Sequence, residues 1–318
     1  MIELDEHVRR LDSADEAERI YAAEDIGYAN CPEGVPPLLQ RLPAESSRAV
    51  REAIFAALQS IADDSVIQGA IRLLSSEDSF LRNQAVELLR HRGPGAISFL
   101  SRAFPMADAD GRKLMLDVLA SVDGPGASGI YGRALADGDV NVVITAVESL
   151  GNAGKTEFRE RVEELAGEGH PMLAGACLET LARIGNAHSL EVIQSRAGAA
   201  GPVADFLIPS YLKVLGAHGG QSAIGETAAM LHSRGAHLQP SILDAITMLR
   251  RRYPSAPLPE SLVEPLENIV RNGNSPILRR QALGLLEGLA QHDGVAAFLA
   301  GWRSADVDTV ERRENRRG

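Results

Sequence analysis

The 318-residue sequence is short of lysine, of aromatic residues and of cysteine, and each shortage narrows the functions open to it. Only Lys113, Lys155 and Lys213 are lysines. The other basic residues are arginines, whose planar guanidinium grips carboxylates or phosphates through paired bonds. Acid nevertheless outweighs base, with a formal net charge of −11. That balance argues against a general nucleic-acid binder, because phosphate affinity is supplied mainly by basic side chains. Aromatics make up 4% of the chain while hydrophobic residues reach 45%, so the core must be assembled from Ala, Leu, Ile and Val, which suit close helix packing. Cys31 and Cys177 stand far apart and form no Cys-x-x-Cys pair, so neither a disulfide framework nor a zinc site is expected. The first eleven residues are mostly charged and no apolar run reaches membrane-spanning length. A cytoplasmic protein without a membrane segment and without a cofactor is therefore the expectation.

What the chain has in quantity is a repeat. One apolar position recurs at Ile26, Leu58, Leu89, Leu119, Leu150, Leu181, Leu215, Leu249 and Leu286, at intervals of 30 to 37 residues. Four residues before each stands another apolar or small residue, from Ala22 and Ile54 through Cys177 and Tyr211 to Ala282, and a spacing of four puts both on one helical face. After most of these anchors comes a break such as Arg92-Gly93-Pro94-Gly95, then a second apolar-periodic segment, for example Val35 to Leu42 or Val66 to Leu74. Each unit is thus a helical hairpin. A hairpin of about thirty residues cannot bury its own apolar faces, so successive hairpins must stack.

The pattern predicts an all-α fold, an α-α superhelix or armadillo-type solenoid of about nine helical hairpins. The hairpins run near 15–46, 47–79, 80–110, 111–139, 140–170, 171–201, 202–238, 239–276 and 277–307 in one array spanning 1–307, followed by a charged tail over 308–318. The seventh and eighth units are longer and proline-rich, and Tyr253 to Glu260 is expected as an extended loop.

Three segments carry a family signature: Val50-Arg51-Glu52-Ala53 leading to Leu58, Leu81-Arg82-Asn83-Gln84-Ala85 leading to Leu89, and Leu278-Arg279-Arg280-Gln281-Ala282 leading to Leu286. They resemble the HEAT-like repeats of the phycobilisome-lyase (PBS lyase) type, and the resemblance covers most of residues 15 to 307. It implies the solenoid fold and leaves function open among adaptors, regulatory subunits, bilin lyases and a few enzymes.

Two arginine series accompany the repeat. Arg19, Arg51, Arg82, Arg112 and Arg279 lie seven residues before an anchor, with Asp15, Asp78 and Asp108 four residues earlier. The resemblance implies a structural Arg and Asp ladder here, with each guanidinium satisfying helix-start groups and tying one hairpin to the next. The second series, Arg41, Arg72, Arg102, Arg133 and Arg196, falls on the second helix of each hairpin. That helix typically lines the concave surface of HEAT-like solenoids. A row of guanidiniums one repeat apart would suit an acidic or extended segment of another protein, and the same positions would also serve as ordinary solvated helix formers.

Other chemistry finds little support. Gly154-Lys155-Thr156 ends like a phosphate-binding loop, but Ser149 replaces the first glycine and the preceding segment is helical where that motif needs a strand. The eight histidines form no His-x-x-x-His or His-Glu pair, so no metal is expected, and the resemblance to HEAT-repeat hydroxylases with His-Glu iron ligands fails. Trp302 belongs to the last second-helix segment. The expected role is a non-catalytic protein-protein interaction scaffold or adaptor with its partner on the concave face. A bilin-lyase-like enzyme or chromophore-handling chaperone stands as the alternative.

Overall fold

The computed structural model describes residues 4–197, 204–273 and 275–302, and these are helical without a β-strand. The fold is all-α and of the α-α superhelix class. The chain divides into two compact units, 1–153 and 154–318. No helix of the described residues is long and apolar enough to cross a membrane.

In the first unit, α1 (Leu4–Leu11) precedes four hairpins and one further helix. The hairpins pair α2 (Glu16–Tyr28) with α3 (Val35–Arg41), α4 (Arg48–Ser60) with α5 (Asp64–Leu73), α6 (Ser79–Arg92) with α7 (Ile97–Ala103), and α8 (Ala109–Leu119) with α9 (Ala127–Ala134). The unit ends on α10 (Val140–Ala153). First helices pack on first helices, α2 on α4, α4 on α6, α6 on α8 and α8 on α10, and second helices pack on second helices from α3 to α9. This ladder of like on like is the solenoid arrangement.

The second unit opens with α11 (Arg159–Leu165) and continues through α12 (Pro171–Ile184), α13 (Ala187–Ala197), α14 (Ile208–His218), α15 (Ala223–Ser233), α16 (Gln239–Arg252), α17 (Val263–Asn272) and α18 (Pro276–Glu287). A last helix covers 295–302. Here too α12 packs on α14, α14 on α16 and α16 on α18. Residues 253–259 are free of helix, as the prolines there require. The charged tail over 308–318 lies outside the described residues.

All nine anchor residues are at most 1% exposed. Each buried leucine or isoleucine side chain contributes roughly 2 kcal/mol of transfer free energy, which explains why this position recurs where the solvent-facing ones drift. Helix starts are equally legible. Asp15, Asp78 and Asp108 cap α2, α6 and α8, accepting from the backbone N–H of Ala17, Phe80 and Gly111 at 2.9, 2.8 and 2.7 Å, which satisfies donors that the first turn leaves without partners. At the far end of α6, Gly93 stops the helix with φ +58°, a conformation that costs a glycine least.

Three of the five members of the first arginine series, Arg19, Arg51 and Arg112, bind hairpin to hairpin. Arg19 donates from Nε and Nη2 to Glu45 at 2.8 and 3.2 Å. Arg51 reaches Asp78 at 2.7 Å, and Arg112 reaches Asp137 at 2.8 Å. In each case the acid stands 25 to 27 residues on, at the start of the next hairpin. The same guanidiniums donate back to the turn before their own helix, Arg19 to the Ser13 carbonyl at 2.9 Å and Arg112 to that of Ala107 at 2.6 Å. Asp78 is therefore held by Arg51 of the preceding hairpin, while Arg82, four residues beyond Asp78, bonds the carbonyls of Ser76 and Glu77.

A second set of cross-links runs between the ends of first helices. Arg92 of α6 donates to the carbonyls of Leu58 and Ile61 at the end of α4, and Arg252 of α16 donates to those of Ala217 and Gly219 at the end of α14. Helix C-termini expose unpaired carbonyls and carry partial negative charge, so a cation from the neighbouring helix satisfies both.

Candidate functional site

The second arginine series was the sequence-level candidate, and the fold treats its members differently. In the first unit Arg41, Arg72, Arg102 and Arg133 each lie in the last turn of their helix, α3, α5, α7 and α9, and those helices pack consecutively. Cations in a last turn also complement the helix dipole.

Arg41 is committed to the fold. Its guanidinium holds Glu45 at 2.8 Å and Asp12 at 3.2 Å, with the side chain 21% exposed. Arg72, Arg102 and Arg133 are exposed. Arg102 lies over the Phe99 ring, 4.6 Å from its centroid, a cation–π stack that orients the head group. Arg133 reaches across to Ser101 of the preceding second helix at 2.7 Å. The Arg72 guanidinium makes no hydrogen bond or ion pair among the described residues.

Arg196 belongs to the second unit, on α13, where its guanidinium donates to the carbonyls of Glu163 and Glu164 at the end of α11. It closes a helix terminus, as Arg92 does, and lines a cleft of ≈ 660 Å³ with Ala174, Leu178, Ile193 and Leu207. The structure thus leaves Arg72, Arg102 and Arg133 exposed in the last turns of consecutively packed helices, and assigns Arg41 and Arg196 to holding helices together.

Along α8, between the start of α6 and the second half of α10, the first unit has a second cleft, of ≈ 700 Å³, lined by Glu77, Arg82, Asp110, Lys113, Asp117 and Glu148 among others. Burial raises the pKa of the Asp117 carboxyl against the opposing pull of Arg90 and Lys113. Gly154-Lys155-Thr156 forms the turn after α10, with Gly154 at φ +66° and a short 3-10 turn following, so helix and not strand feeds it. Among the described residues no group of three or more His, Cys, Asp or Glu side chains is placed to hold a metal ion.

The two thiols differ sharply. Cys31 is part-exposed and donates to Glu33 at 3.2 Å. Cys177 is fully buried at the position four before an anchor, and burial pushes its thiol up to about 12. The thiolate is the reactive form, so an alkylating reagent at pH 8 will modify Cys31 within minutes in the native protein and Cys177 only with unfolding. Mass-spectrometric detection of rapid label on Cys177 in native buffer would contradict the packing described for α12.

Sequence reasoning passed over Tyr21 and Tyr28, which are 55% and 89% exposed on α2. Their signal is aromatic spacing of seven at positions where the later repeats carry small or polar residues, such as Ala53 and Ser60.

Residues 5–90 match the family model for HEAT repeats. No curated protein matches the sequence. Among solved structures, an engineered protein is similar at 16% identity, TM-score 0.46, covering 96% of this chain and 93% of its own. The CpcE–CpcF complex of phycocyanin lyase from Nostoc sp. PCC7120 is similar at 18% identity, TM-score 0.33, covering 78% of this chain and 95% of that one. Importin beta is similar at 15% identity, TM-score 0.48, covering 93% of this chain and 51% of that one. The sequence of the N-terminal hairpins, α2 to α6, is thus similar to HEAT repeats.

Proposed function

We propose that the chain is a non-catalytic protein-binding scaffold in which Arg72, Arg102 and Arg133 engage an acidic, extended segment of a partner on the concave face formed by the second helices. The observation that supports this reading is the row itself: three exposed guanidiniums in the last turns of three consecutively packed helices, α5, α7 and α9. Exposed ion pairs contribute about 0.2–1 kcal/mol each, so three arginines cannot supply a stable complex alone. Their part is to steer the partner and fix its register, with apolar contacts along the helices supplying the remaining affinity.

Affinity capture from the native source, with the wild-type chain and an Arg72→Glu/Arg102→Glu variant as baits, tests the proposal. Both residues are exposed, so helical content and melting should be unchanged, while the partner held by the wild type should be lost from the variant. Equal recovery by both baits would remove this role from the row.

A further inference from the structure

We infer that the solvent face of α2 is a second docking surface, and that its occupant is an extended arginine-rich segment of another protein. Tyr21 and Tyr28 are two helical turns apart and so share one face, and the exposed Glu24 lies between them. The neighbouring faces of α2 are already in use. On one side Glu18 and Asp25 hold Arg10 of α1 at 2.8 and 2.9 Å. On another, Gly27 lies so close to α4 that an added Cβ would be 2.8 Å from the Ala57 Cα. The tyrosine face is the one left to solvent.

The charge on this helix indicates what would cover that face. α2 carries Glu16, Glu18, Glu24 and Asp25, with Asp15 as its cap. Its single base, Arg19, is 8% exposed and bound to Glu45. An open phenol ring attracts a cation to its face, and guanidinium stacks there while still donating to a carboxylate alongside. Seven residues of helix separate the two rings by about 10.5 Å along the axis. Three residues of polyproline-II chain span about 9.3 Å and return the side chain to the same face, so arginines at every third position would meet Tyr21 and Tyr28 in turn, with Glu24 accepting between them. This face is separate from the Arg72–Arg102–Arg133 row and opposite in sign.

The test uses the full chain and a fluorescein-labelled peptide with arginine at every third position, followed by fluorescence anisotropy. Tyr21→Ala/Tyr28→Ala should weaken binding about tenfold, and Glu24→Gln about threefold with a shallower salt dependence. Glu264→Gln, an exposed acid of the second unit, should change nothing. No binding of the peptide, or a double tyrosine variant within about twofold of wild type, would overturn the inference by reducing the attraction to net charge. Sedimentation showing a dimer that the tyrosine variant dissolves would overturn it as well, because a second copy would then be the occupant.

Discussion

Replacing Glu45 with Gln will destabilise the protein by about 3 kcal/mol at neutral pH, in the range seen when one partner of a buried ion pair is removed. Glu45 is 1% exposed and accepts from Arg19, from Arg41 and from the Ser47 N–H at 2.8 Å. Burial alone would raise its pKa; the Arg19 bonds, the Ser47 N–H and Arg41 outweigh burial and bring it down to about 2 from an ordinary value of 4.5. A depressed carboxylate pKa contributes stability that is fully present above the unfolded value and lost as pH falls through the folded one. The linkage amounts to about 3 kcal/mol for a shift of this size. In urea titrations followed by circular dichroism, the gap between wild type and Glu45→Gln should therefore be constant above pH 5, shrink below 4.5 and close near pH 2. A gap independent of pH would mean that Glu45 contributes packing and not charge.

The second large effect is expected at Gly27. Its hydrogen faces the Ala57 Cα at a distance where a Cβ would sit 2.8 Å away, with the Ser60 Oγ at 3.1 Å. The obstructing atom is backbone, so relief requires α2 and α4 to separate. Gly27→Ala gains about 1 kcal/mol of helix propensity and loses about 1–3 kcal/mol to overpacking. The balance is destabilising, and Gly27→Leu should cost about 3 kcal/mol or more. Gly284 gives the opposite sign. It lies inside α18 with nothing within 4 Å of an added Cβ, so Gly284→Ala should stabilise by up to about 1 kcal/mol. Paired denaturant midpoints would decide the matter, and a destabilised Gly284→Ala would show that helix propensity is not what limits that position.

The fold was legible because burial and spacing are the same fact in a helical repeat. Ile26, Leu58 and their successors recur because each fills one place in the core, and Asp78 or Asp108 precedes its helix because the first turn needs an acceptor. The candidate site was less legible. Arg41 and Arg72 occupy the same register, yet only the structure shows that Glu45 and Asp12 claim the first while the second stays free. Which arginine is spoken for depends on an acid four residues on and another about one repeat back, and those positions vary without disturbing the anchor pattern. Arg196 illustrates this again, since its targets are backbone carbonyls of α11, which no side-chain pattern records. Tyr21 and Tyr28 escaped for a related reason: a repeat search weights what recurs, and these two residues occur in one hairpin only.

The Arg19, Arg51 and Arg112 links all point the same way along the chain, from a helix to an acid that follows it by 25 to 27 residues. On a ribosome, α2, α4 and α8 therefore emerge before Glu45, Asp78 and Asp137, the carboxylates that pair with their arginines. Until then each of these guanidiniums has the carbonyls of its own preceding turn, and the next stretch of translation supplies the acid. At these three joints the earlier hairpin offers the cation on which its successor's acid closes.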